Sequence, residues 1–143
     1  MNIYLLDTNI ISEPSKHFPS EVVISKISEN LEHSCISSVV WVEVLTGIKL
    51  LPDGHKKEAL FEFFVETVQK NYEILPFDSH CASVYSDIIS RLKEKGKPVP
   101  KIDLMIASTA IANGLILVTR NIKDFEPITE VSTLIIENWF QES

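Results

Sequence analysis

Short apolar, β-branched runs alternate along the chain with longer stretches whose apolar residues recur at helical spacing. The runs at 2–6, 33–37, 73–76, 115–119 and 132–136 predict strands; 9–13, 20–31, 38–51, 55–71, 78–96 and 102–113 predict helices. Such alternation predicts an α/β fold, a parallel sheet of about five strands flanked by helices on both faces. No internal repeat, low-complexity tract or Gly/Ser-rich linker divides the sequence, so one domain is expected over 1–143. Pro52-Asp53-Gly54 punctuates two helices, and the two prolines of Gly96-Lys97-Pro98-Val99-Pro100 are expected to hold an extended loop.

Four acids interrupt the apolar pattern. Asp7 follows Ile3-Tyr4-Leu5-Leu6, Glu43 lies within Val39-Val40-Trp41-Val42-Glu43-Val44-Leu45, Asp103 precedes Leu104-Met105-Ile106-Ala107, and Asp124 sits between Ile122 and Phe125. Burying a carboxylate costs several kcal/mol unless it is neutralised or paired. No matching set of embedded Lys or Arg is present, so a divalent cation is the expected partner. The sheet reading places the four acids together. Asp7 follows the first strand, Glu43 lies in the first turns of the helix after the second, Asp103 opens the helix leading into the fourth, and Asp124 falls in the loop after it. In an open α/β sheet, these positions share the carboxyl edge, where ligands bind.

Each acid also has a plainer reading. Asp7 and Asp103 are suitable N-caps, Asp124 suits a turn, and Glu43 suits an ion pair or a partly exposed position. Glu62 belongs to a solvated face with Glu58, Glu66 and Lys70 at i, i+4 spacing and is set aside. Leu60, Phe61, Phe64, Val65 and Val68 read as a core-facing stripe; Phe63, Trp41 and Trp139 add aromatic surface that suits core better than a partner groove.

Composition excludes several classes. At 45% hydrophobic and 23% charged the chain is of ordinary globular type, and its apolar runs are too short to span a membrane. Met1-Asn2 leads straight into a strand-like run without a secretory signal pattern, which predicts a cytoplasmic protein. Cys35 and Cys81 stand in separate apolar segments and read as buried free thiols, while the four histidines show no zinc spacing. A net charge of −7 argues against a general nucleic-acid coat. The segment from Arg91 to Lys101 is different: Arg91, Lys93, Lys95, Lys97 and Lys101 face only Glu94, a local charge of +4. A solvated helix end would explain it, and so would a guide for a polyanion.

Four ordered stretches carry a family resemblance across essentially the whole chain. Leu5-Leu6-Asp7-Thr8-Asn9-Ile10, Ser37-Ser38-Val39-Val40-Trp41-Val42-Glu43-Val44-Leu45-Thr46-Gly47, Asp103-Leu104-Met105-Ile106-Ala107-Ser108-Thr109-Ala110 and Leu117-Val118-Thr119-Arg120-Asn121-Ile122-Lys123-Asp124-Phe125 resemble, in order and spacing, the motifs of PIN domains. In particular the chain resembles the VapC toxin class of bacterial toxin–antitoxin ribonucleases. The resemblance implies the PIN arrangement of the sheet and an endoribonuclease dependent on Mg2+ or Mn2+, leaving 5′-phosphate and 3′-hydroxyl ends. It implies Asp7, Glu43, Asp103 and a fourth acid as ligands, with Asn9, Thr119 and Asn121 in supporting positions. Many relatives carry Asp where this chain has Asn121, so Asp124 is the available fourth charge. Lys16, Arg91, Lys93, Lys97, Lys101 and Arg120 are the cations expected to hold RNA backbone. A small antitoxin and a homodimer are the implied partners. Two alternatives remain: a catalytically degenerate RNA-binding or scaffold module, suggested by Asn121, and a haloacid-dehalogenase-type phosphotransferase. The latter expects an acid where Asn9 stands.

Overall fold

In this computed structural model residues 1–141 are described. The chain order is β1 (Tyr4–Leu6), α1 (Thr8–Ile11), α2 (Glu21–Glu29), β2 (Ser34–Ser37), α3 (Ser38–Lys49), α4 (His55–Phe63), β3 (Glu73–Leu75), α5 (Ser79–Glu94), α6 (Lys101–Ala112), β4 (Ile116–Val118), α7 (Ile122–Thr129) and β5 (Ile136–Glu137). Single 3-10 turns at Glu13–Ser15 and Leu31–His33 bracket α2.

All strands pair in parallel, in the order β3-β2-β1-β4-β5. Central strands are covered on both faces, so consecutive residues rather than alternate ones are buried: Leu5 and Leu6, Cys35 and Ile36, Leu117 and Val118. Winding proceeds outward from β1 through β2 to β3, then returns to the other side of β1 with β4. The β1/β4 boundary is therefore the switch point of the sheet, the position at whose carboxyl edge open α/β sheets bind ligands.

Local chemistry fixes the helix ends. The Ser37 hydroxyl accepts from the Val40 N–H at 3.0 Å to start α3, and the Asp78 carboxylate accepts from the Cys81 N–H at 3.0 Å to start α5. Gly96 and Gly114, both at φ 66°, end α5 and α6 in the left-handed conformation. There the following N–H reaches back to a helix carbonyl, Lys97 to Leu92 at 3.0 Å and Leu115 to Ala110 at 2.9 Å.

Three expectations need correction. The fifth strand pairs at Ile136–Glu137 rather than over 132–136, because the Ser132 hydroxyl is tied back to the Ile128 carbonyl at 2.6 Å and keeps that stretch on the end of α7. The helix expected over 55–71 changes to a π-helical turn at Phe64–Gln69. Of the expected stripe, Phe64 and Val68 are buried, while Phe61, on α4 before that turn, is 47% exposed. Helix α7 was not anticipated, since Pro127 lies inside it; burial of Phe125 and Ile128 holds it in place despite the lost N–H.

Trp139 is buried, with Tyr4 edge-on at a centroid distance of 5.3 Å and its indole N–H donating to Glu137 Oε1 at 3.2 Å. Trp41 and Phe63 also pack against the core. Both cysteines are free and buried, and burial, with Glu73 nearby, pushes the Cys35 thiol up to about 12. Replacement of Trp139 by Ala is expected to cost about 3–5 kcal/mol of unfolding free energy in urea titrations followed by circular dichroism. A loss below about 1 kcal/mol would contradict this packing.

Candidate active site at the carboxyl edge of the sheet

Asp7 leaves β1 at the switch point and is only 6% exposed. Its backbone N–H donates to the Val118 carbonyl at 2.9 Å, which continues the β1/β4 ladder and fixes the direction of the side chain. Asp7 Oδ1 accepts from the Thr8 N–H at 2.8 Å and so caps α1. Its Oδ2 accepts from Thr119 Oγ1 at 2.8 Å, across the switch point, and from Asn9 Nδ2 at 3.4 Å. Capping and site formation are thus one arrangement, not alternatives.

Asn9 and Thr119 belong to a network around Asp7. Asn9 Oδ1 accepts from the Arg120 N–H at 3.0 Å, and Thr119 Oγ1 accepts from the Asn121 N–H at 3.1 Å. The loop after β4 is therefore bound to the loop after β1 by side chains that also hold Asp7. Among the described residues the Asn121 side chain makes no capping bond to α7.

The other acids approach from different elements. Glu43, on α3, is linked to the Asp7 turn by Thr8 Oγ1, which donates to Glu43 Oε1 at 3.3 Å. Asp103 is the third residue of α6, in its first turn, and the cap position is held by Pro100, so Asp103 does not cap the helix. Asp124 lies in the first turn of α7, not in a loop. The expectation of four buried carboxylates holds only for Asp7: Asp103 is partly buried, and Glu43 and Asp124 are exposed. Nor do they close into a cage. Among the described residues, no group of three or more Asp, Glu, His or Cys side chains is arranged to hold a metal ion by itself.

The acids nonetheless share one electrostatic field. Burial pushes the Asp7 carboxyl above its ordinary range; bonds from Thr119, Thr8 and Asn9 pull it back, and the charge of Asp124 pushes it up again. Glu43 is raised by what burial it has and then by Asp7, against the Thr8 bond. Asp103 is pushed up to about 6, first by desolvation, then by Asp7, Asp124 and Glu43 in turn. Such a field accepts a cation.

Residues 4–130 match the PIN-domain family. The chain belongs to that family. It is 37% identical over 124 residues to the toxin FitB of Neisseria gonorrhoeae, covering 85% of this chain and 89% of that one. It is 33% identical to the ribonuclease VapC2 of Rickettsia felis, covering 96% of this chain and 98% of that one. The crystal structure of FitAcB from Neisseria gonorrhoeae superposes on this PIN domain with a TM-score of 0.88 at 32% identity, over 98% of this chain and 100% of the other.

Several expected cations of this PIN domain are already engaged. Lys97 pairs with Glu130 at 2.6 Å, and an Arg91 guanidinium N–H donates to the Val131 carbonyl at 3.0 Å, binding the basic segment to the end of α7. Lys16 contacts Glu13 Oε1 at 2.8 Å, and Arg120 lies 4.3 Å from the centroid of the Phe140 ring. Lys93 and Lys101 have no ion-pair partner among the described residues. They line an apolar cleft of about 420 Å³ between α5 and α6, and Lys101 opens the helix of Asp103.

Glu13 escaped the sequence reading because nothing around it is apolar enough to mark it, yet it is 3% exposed. Its Oε2 accepts from the Ser20 N–H at 2.9 Å. Burial alone would raise its carboxyl; contacts from Lys16 and Ser20, then the charges of Lys16 and Arg120, hold it below the ordinary range.

The pH dependence of the metal-free protein follows from Asp103. A carboxyl raised in the folded state from 3.8 to about 6 imposes no penalty below the lower value. The penalty grows as pH rises between the two and is complete above the upper one. Metal-free protein is therefore expected to lose stability over that interval, and Asp103→Asn to remove the loss. At neutral pH the variant should exceed wild type by about 1 kcal/mol, after allowance for solvent screening of a partly exposed group. Urea titrations in EDTA at acid and neutral pH check this; parallel profiles for the two proteins would refute it.

Proposed function

We propose that this PIN domain is an endoribonuclease dependent on Mg2+ or Mn2+ that hydrolyses RNA phosphodiester bonds, and that it is the toxin of a toxin–antitoxin pair. Asp7 carries the reading: a buried carboxylate with no cationic side chain paired to it among the described residues, held by three donors at the switch point and sharing a field with further acids. The similarity to proteins named toxin FitB and ribonuclease VapC2 supports the activity and the role.

Absence of a three-carboxylate cage suits the proposed ion. Mg2+ keeps several of its waters and takes one or two carboxylates together with substrate phosphate oxygens. Asp7 would hold it with Glu43, Asp103 and Asp124, whose oxygens are hard donors of the right chemistry. A bound divalent ion would polarise the scissile phosphate and lower the pKa of an attacking water. Thr119 and Asn9 hold Oδ2 of Asp7, and the Thr8 N–H holds Oδ1. Three donors leave one lone pair free, on Oδ1, for the ion. Lys93 and Lys101, with Arg91, Lys97, Lys16 and Arg120, would supply the positive charge that holds the RNA backbone.

The toxin role brings with it a small antitoxin covering the carboxylate edge, a homodimer, and residence in the cytoplasm. A binding module with a degenerate site is the competing reading, and the amide of Asn121 is what favours it.

Purified protein with Mn2+ is expected to cleave single-stranded RNA and to be silenced by EDTA. Asp7→Asn should lower kcat/KM at least about a thousandfold while leaving the metal-free protein at least as stable as wild type. Mn2+ should raise the wild-type melting temperature and leave that of Asp7→Asn nearly unchanged. Normal cleavage by Asp7→Asn would remove the assignment, and an inert wild type that still binds RNA would favour the degenerate module.

A further inference from the structure

A single exposed apolar side chain means little by itself. Phe18 differs in how it is held. It is 88% exposed in the loop after the Glu13–Ser15 turn, and leaving such a side chain in water forgoes the gain of burying it. The loop is nonetheless fixed at both ends by one buried carboxylate, Glu13, which contacts Lys16 Nζ at 2.8 Å and accepts from the Ser20 N–H at 2.9 Å. Between these anchors the His17 ring meets Phe18 edge-on, 4.7 Å between centroids and 90° between planes. A buried acid is thus committed to displaying an aromatic face to solvent.

The loop is linked to the carboxylate edge through Arg120. Arg120 exerts its charge on Glu13, and its backbone N–H donates to Asn9, which donates in turn to Asp7. The Arg120 guanidinium is kept in place over Phe140. An open aromatic face, with a guanidinium whose residue is linked to Asp7 through Asn9, supplies parts that hold single-stranded nucleic acid, in which unstacked bases lie on aromatic rings. A duplex has no such base to offer.

We propose that the 16–20 loop is a stacking platform that receives one unpaired base of single-stranded RNA on Phe18, with Arg120 on an adjoining phosphate. This rests on the ribonuclease reading above. It makes Phe18 a determinant of strand state rather than of sequence, because every base has a face to stack.

Fluorescence anisotropy with a labelled single-stranded oligoribonucleotide, and with the same strand annealed to its complement, tests it in the Asp7→Asn background that blocks cleavage. Phe18→Ala is expected to weaken single-strand binding about tenfold, which is about 1.4 kcal/mol, with the melting temperature unchanged. Phe18→Trp should restore it, and the weaker duplex binding should not respond to either change. In cleavage assays of the otherwise wild-type protein, Phe18→Ala should raise KM and leave kcat within about twofold. Equal single-strand affinity in Phe18→Ala overturns the platform even where the wild type cleaves RNA. Equal losses for single strand and duplex overturn it too, as does a loss confined to binding of a protein partner. A wild type that cleaves nothing strikes the ribonuclease reading alone, and the anisotropy still decides the platform.

Discussion

Everything at the carboxyl edge depends on the hydrogen bond from the Thr119 hydroxyl to Asp7 Oδ2. It joins the residue that leaves β1 to the residue that leaves β4, across the place where the sheet reverses its winding. A buried carboxylate there would neutralise itself without compensation. Three hydrogen bonds supply part of that compensation, and the remainder is the work assigned to a cation. The same groups that tame Asp7 also fasten the two loops, since Asn9 and Thr119 receive the backbone N–H groups of Arg120 and Asn121.

Around this fixed centre the other acids are held loosely. Asp103 and Asp124 come from the first turns of α6 and α7 and Glu43 from the second turn of α3, and among the described residues they share a field without closing on one point. For a cation that exchanges its waters reluctantly, an open acidic rim around one rigid ligand suits substrate entry better than a sealed cage. The cost falls on the metal-free fold, where desolvation and like charge burden Asp103 most.

Much of this was legible in the sequence because strands and helices follow from periodicity, and strand ends place loops. Asp7 after an apolar run and Glu43 inside an apolar helix stood out against their surroundings. What escaped notice follows from tertiary packing. Helix α7 is stabilised by burying Phe125 and Ile128 against a propensity that Pro127 opposes, so Asp124 was read as loop. The π-helical turn at Phe64–Gln69 interrupts a helix that periodicity reads as continuous, and Phe61 before it faces outward because packing rather than pattern sets which side is covered. Burial of Glu13 depends on Lys16, Ser20 and the distant Arg120, of which only the first two are near in sequence. Partnering of the basic segment with the end of α7 was equally invisible, because Lys97 and Glu130 stand far apart in the chain.

Anomalous diffraction from crystals grown with Mn2+ tests the central claim most directly. The account expects a peak within about 2.3 Å of an Asp7 carboxylate oxygen, with carboxylates from α3, α6 or α7 drawn toward it directly or through water. An edge without such a peak at millimolar Mn2+, or a peak elsewhere on the protein with Asp7 unchanged, would contradict it.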